Sequence, residues 1–152
     1  MRKRTKAREY ALQVLYQLDI RRADCQQILH EFWQEHQPSA EVRGFATKLA
    51  EGTVKCLGDI DGFITSHADN WDLKRMAVVD RNILRLGVFE LLYMDDAPPA
   101  VCINEAIELA KRFGDAESAK FINGILDAIY KAHGRTPAPP AAFPTSADPP
   151  TR

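Results

Sequence analysis

Proline is distributed so unevenly along this chain that it limits what each part can become. Of nine prolines, six (Pro137, Pro139, Pro140, Pro144, Pro149 and Pro150) follow His133, and only Pro38, Pro98 and Pro99 interrupt what comes before. Proline removes a backbone donor and breaks helix interiors and central strands alike, so residues 1–133 are free to be mostly helix. Residues 134–152 are rich in Ala, Pro, Ser and Thr and have too little apolar surface to offset the entropy of ordering them. We therefore expect one working domain over 1–133 and a solvated tail over 134–152. A chain of 152 residues with 45% hydrophobic and 27% charged residues has room for one buried core and the composition of a globular protein.

Apolar spacing divides the body into helices. Over 5–18, Ala7, Ala11, Val14, Leu15 and Leu18 share one face. Asp24 is placed to cap a second helix carrying Ile28, Leu29, Phe32 and Trp33, which must stop before Pro38. Ser39 caps a third with Phe45, Leu49, Val54 and Leu57, expected to end at Gly58. A shorter element over 59–68 carries Ile60, Phe63 and Ile64, and Asp72 can cap a short turn. The run 83–94 is apolar nearly all round and belongs in the middle of a domain. Pro98 and Pro99 suit the first turn of the next helix, which runs from Val101 to a C-terminal glycine, Gly114, and the last helix spans 117–132. No segment alternates with period two between turn signals. The class is all-α, with about seven helices and no repeat at a fixed period.

Catalytic and metal constellations are missing from the pattern. There is no phosphate-cradling glycine loop, no HExxH and no nucleophile elbow. Cys25, Cys56 and Cys102 are odd in number and far apart, so neither a disulfide framework nor a zinc site is expected. His30, His36, His67 and His133 are scattered. Glu105 and Glu108 are followed one turn later by Lys111 and Arg112, the pattern of a salt-bridged solvent face. We expect no catalytic residue, no metal and no cofactor. With no secretory pattern and no apolar run long enough for a membrane span, a cytoplasmic protein with no membrane partner is expected.

The net charge of −1 hides a division. Arg2, Lys3, Arg4, Lys6 and Arg8 give +5 within eight residues, leaving 15 basic against 21 acidic residues in the remainder. Five cations at a helix start repel one another and oppose the positive end of the helix dipole. That cost suits a polyanion, because phosphates bound there release counterions; a merely solubilising basic end is the alternative. Lys120 and Phe121 form a second cation and ring pair, and Tyr16 lies behind the basic end. Rings beside cations can stack unpaired bases while the charges hold the backbone; for Phe121 and Tyr16, stacking and core packing both stay open. Asn104 and Asn123 are expected to be buried amides that satisfy backbone groups at helix ends, with contact to RNA as the alternative.

The stretches VDRNILRL (79–86), INEAIELAKRFG (103–114) and KFINGILD (120–127), with REYALQVLY (8–16) at the start, resemble the transcription antitermination factor NusB family, over roughly residues 2–133. The resemblance implies two three-helix bundles packed at a steep angle. It implies binding of boxA-type single-stranded RNA in ribosomal RNA leader transcripts together with the ribosomal protein NusE, and assembly with other Nus factors on RNA polymerase. By position, the RNA side would involve Arg2, Lys3, Arg4, Lys6, Arg8, Tyr16, Lys120 and Phe121, and Asp80 would face the protein partner. A stand-alone RNA-binding module related to the N-terminal domain of ribosomal RNA methyltransferases is the alternative, and a purely structural helical interaction protein a third. The tail matches nothing in the family pattern.

Overall fold

A computed structural model describes residues 2–68 and 72–134. Among these residues the chain forms seven α-helices and no strand: α1 (Lys3–Arg21), α2 (Cys25–Glu35), α3 (Ala40–Lys55), α4 (Leu57–His67), α5 (Val78–Val88), α6 (Pro99–Phe113) and α7 (Ala116–His133). The tail beyond Gly134 lies outside the described residues, so the solvated character expected for it does too.

Short polar side chains set the starts. Asp24 accepts from the N–H groups of Gln26 and Gln27, Ser39 from Val42 and Asp115 from Ser118, each satisfying donors that the first helical turn leaves open. Pro98 and Pro99 open α6 as expected. One glycine expectation needs correction, and the other, the helix end at Gly114, holds for a different reason. α3 ends at Lys55, not Gly58, because Cys56 closes it and starts α4 at once: its N–H bonds to the Gly52 carbonyl while its own carbonyl accepts from Ile60. Gly114 follows α6 with φ of −114°, so it is no left-handed cap. A Cβ there would lie 3.0 Å from the Ala110 carbonyl oxygen and 3.1 Å from Ser118 Oγ, so the tight α6–α7 turn would have to give by a few tenths of an ångström to admit one.

α1, α2 and α3 pack together, and α4, α6 and α7 surround α5. α5 also meets α1 and α3, so it joins the two halves, which is why the sequence around it is apolar on every side. Ile83, Leu84, Leu86, Val88, Phe89, Leu91 and Leu92 are all buried. Its last turn widens into a π-turn over Phe89–Tyr93. Gly52 on α3 makes room for it, since a Cβ there would lie 2.1 Å from the Phe89 ring.

Two buried or half-buried ionic contacts of opposite polarity hold α1 against this central helix. Arg8 of α1 meets Glu90 in the π-turn, and Asp19 of α1 meets Arg81 of α5 at 2.7 Å. Residue numbers rise along one helix as they fall along the other, so the two run antiparallel. Because the charges are swapped between the two contacts, a parallel arrangement of the two helices would set Arg8 against Arg81 and Asp19 against Glu90. Asp19 also receives Arg85 and the amide of Asn82, and Arg85 reaches Asp61 on α4.

Candidate nucleic-acid interface

The basic end is the start of α1, and its side chains divide by helix face. Arg2, Lys3 and Arg4 are exposed. Lys3 Nζ lies 3.0 Å from Glu41 on α3, with both side chains 61% exposed. Arg4 lies 3.2 Å from Asp96, and its guanidinium sits 3.9 Å above the Phe45 ring. Lys6 lies 3.7 Å from Glu9 and 4.9 Å from the Tyr10 ring. The exposed Lys3–Glu41 and Arg4–Asp96 pairs hold weakly, by about 0–1 kcal/mol, so a phosphate can displace their carboxylates, whereas the Glu9 partner of Lys6 is buried.

Arg8 is different, and its expected place at the surface is corrected. Its side chain is 5% exposed, and Nε donates to Glu90 Oε1 at 2.8 Å while a second N–H reaches the other Glu90 oxygen. A third nitrogen lies 3.3 Å from Glu105. Burial works against its charge, but the hydrogen bond and the charges of Glu90 and Glu105 outweigh it and raise its pKa above the ordinary arginine value. Five residues after Lys3, Arg8 has turned from the solvent face of α1 to the face that meets the π-turn and α6. Glu105 is corrected with it: it faces inward, accepting also from Thr5 Oγ1 at 3.0 Å, and only Glu108 and Lys111 make the expected exposed pair, at 3.5 Å. Arg112 reaches across to the buried Glu9 at 3.0 Å.

Further along α1, Tyr16 is 41% exposed and borders a groove of about 540 Å³. Leu12 and Gln13 of α1, Val78 and Val79 of α5, and Phe113 at the end of α6 complete its walls. Ile20, one turn beyond Tyr16, is 55% exposed and extends the apolar stripe. Asp80 follows the groove residues on α5. One of its oxygens accepts from Ser118 Oγ at 3.0 Å, while the other is buried without a hydrogen-bond partner among the described residues. On α7, Lys120 is exposed and Phe121 is half-buried against the core, a position that both packs the ring and leaves part of it reachable.

The amide expectation is overturned. Asn104 and Asn123 are both exposed, on α6 and α7. The buried amide is Asn82, which donates to Asp19 and to the Val78 carbonyl, each at 2.9 Å. Its position directly ahead of the apolar run 83–94 is the available signal. Asp96 and Glu41, the acids that face Arg4 and Lys3, were not foreseen either, because their contacts span 92 and 38 residues. Among the described residues no three His, Cys, Asp or Glu side chains gather as a metal site, and no helix is long and apolar enough to cross a membrane.

Comparison with known proteins completes the description. The sequence model of the NusB family matches residues 5–131. A transcription antitermination protein NusB of Chloroherpeton thalassium is 43% identical over 128 residues, covering 84% of this chain but 61% of that protein. One from Thermodesulfovibrio yellowstonii is 42% identical, covering 85% of this chain and 92% of that protein. In a crystal structure of antitermination factors NusB and NusE in complex with double-stranded RNA, one chain superposes with a TM-score of 0.80 at 34% identity, over 88% of this chain and 99% of that one.

Proposed function

The chain belongs to the NusB family, and from that premise we propose that it is a non-enzymatic transcription antitermination factor that binds boxA-type single-stranded RNA together with the ribosomal protein NusE. One observation carries the reading: a single helix, α1, presents exposed cations at its start and an exposed tyrosine on an apolar groove further along. Arg4 and Tyr16 are twelve residues apart, about 18 Å along the axis. α1 is itself clamped to α5 at Arg8 and Asp19. Two ligands seated on one rigid helix are held in fixed relation, which is what an adaptor between a transcript and a protein on RNA polymerase requires.

The parts take distinct roles. Arg2, Lys3, Arg4 and Lys6 supply sequence-independent attraction to phosphates, with Lys120 and the half-open Phe121 as a further cation and ring. Arg8 holds the helix from which the others project and does not itself meet the RNA. The groove beside Phe113, with Asp80 at its edge, takes an apolar segment of the protein partner, and Tyr16, 41% exposed at its rim, stays available to stack a base of the RNA. The acidic remainder of the surface repels RNA elsewhere.

RNA titration at two salt concentrations, with and without NusE, tests this. The Lys3→Ala/Arg4→Ala/Lys6→Ala variant should keep its helicity, bind RNA more weakly and show a flatter dependence of affinity on salt, by about 0.7 of a logarithmic slope unit for each single-strand phosphate contact removed. Unchanged affinity and slope would refute the phosphate role, and absence of any tightening by NusE would refute the adaptor role.

A further inference from the structure

The structure supplies Asn104 as a candidate for a task that the cations cannot perform, since phosphate contacts carry no sequence information. Asparagine is a poor helix former, yet Asn104 sits in the interior of α6, exposed and without a hydrogen-bond partner among the described residues. Packing gives no reason for it. Its chain neighbour Glu105 bonds Thr5 and Arg8, and Asp96, just ahead of α6, bonds Arg4. These contacts bring the first half of α6 against the basic start of α1. One turn before Asn104, and on the same helix face, Val101 is 42% exposed. One turn after it, Glu108 carries a negative charge partly offset by Lys111, which bounds the patch on that side.

Resting on the RNA-binding reading above, we propose that Asn104 hydrogen-bonds the edge of an unpaired base of the bound strand, with Val101 supplying apolar contact to the ring, so that α6 reads sequence where α1 reads charge. A side-chain amide presents a donor and an acceptor side by side, the complement of a base edge. In a single strand those edges are open to it.

The experiment compares two RNAs of equal length and composition, one carrying the boxA-type leader sequence and one with its bases shuffled, against the full chain at two salt concentrations. Asn104→Ala replaces an exposed residue by a better helix former, so the fold is retained. Affinity for the leader RNA should fall about tenfold, as expected for loss of one good base contact, while affinity for the shuffled RNA and both salt slopes stay unchanged. Val101→Ser should lower the same preference with unchanged slopes. An unaltered preference in Asn104→Ala, or an equal loss on both RNAs, overturns the inference and leaves the RNA-binding reading standing. A wild-type chain that binds neither RNA overturns both.

Discussion

Replacing Arg8 by methionine separates a buried clamp from a surface phosphate contact more cleanly than any other single change. The substitution keeps an unbranched side chain of similar reach but leaves the Glu90 carboxylate, 3% exposed, without its two hydrogen bonds, and removes the cation beside Glu105, 15% exposed. Breaking a buried ion pair from one side costs about 3–5 kcal/mol, because the remaining charge stays buried and unpaired. Against a total stability of about 5–15 kcal/mol for a domain, that is a large fraction. Urea unfolding followed by helical circular dichroism at pH 7 reads it directly. Removing both charges in Arg8→Met/Glu90→Leu should restore much of the loss, since an apolar pair of similar volume can replace a buried ion pair at little cost. A loss below about 1 kcal/mol, the range of exposed pairs, together with weakened RNA binding and a flattened salt slope, would refute the assignment and return Arg8 to the RNA-facing group.

Asp96→Asn removes the acid that faces Arg4 and should strengthen RNA binding about two- to fivefold at low salt, the equivalent of one exposed pair; a titration showing weaker binding would contradict displacement of that acid by phosphate. Gly52→Ala should destabilise the protein by about 1–3 kcal/mol in the same urea assay, because the added Cβ meets the fully buried Phe89 ring at 2.1 Å; a neutral result would mean that the π-turn can shift. For Asp19, burial raises its pKa, but hydrogen bonds from Arg81 and Asn82 and the charges of Arg81 and Arg85 prevail and hold it below the ordinary aspartate value. A depressed acid stabilises the fold above its unfolded pKa and ceases to as pH falls through the folded one, so Asp19→Asn should narrow the gap in melting temperature between pH 7 and pH 3. An unchanged gap would remove Asp19 from the acid sensitivity.

Several of the interface residues were legible before any coordinates, and the reasons differ. Lys3 and Arg4 were found as a local excess of charge, which is a property of eight consecutive residues. Their partners were not, because Glu41 and Asp96 are separated from them by 38 and 92 residues. The expectation that Asn104 and Asn123 are interior amides rests on the need of a buried amide to be bonded; that rule says what burial demands and not which residues are buried. Glycine chemistry alone points to a helix end at Gly58, whereas a single residue, Cys56, turns the chain and leaves Gly58 inside α4.

Sequence by itself determined the helical class, the caps at Asp24 and Ser39 and the central place of the run over residues 83–94, since hydrophobic period, capping and proline placement act over one or two turns. Tertiary structure alone decided which face of α1 meets α5. That contact makes Arg8 a clamp and leaves Lys3 and Arg4 for a ligand, though all three belong to one run of cations. It also set Tyr16, Val79 and Phe113, from three different helices, around one groove. Burial and long-range pairing depend on how helices pack, and the same charge then takes opposite roles according to the face it occupies.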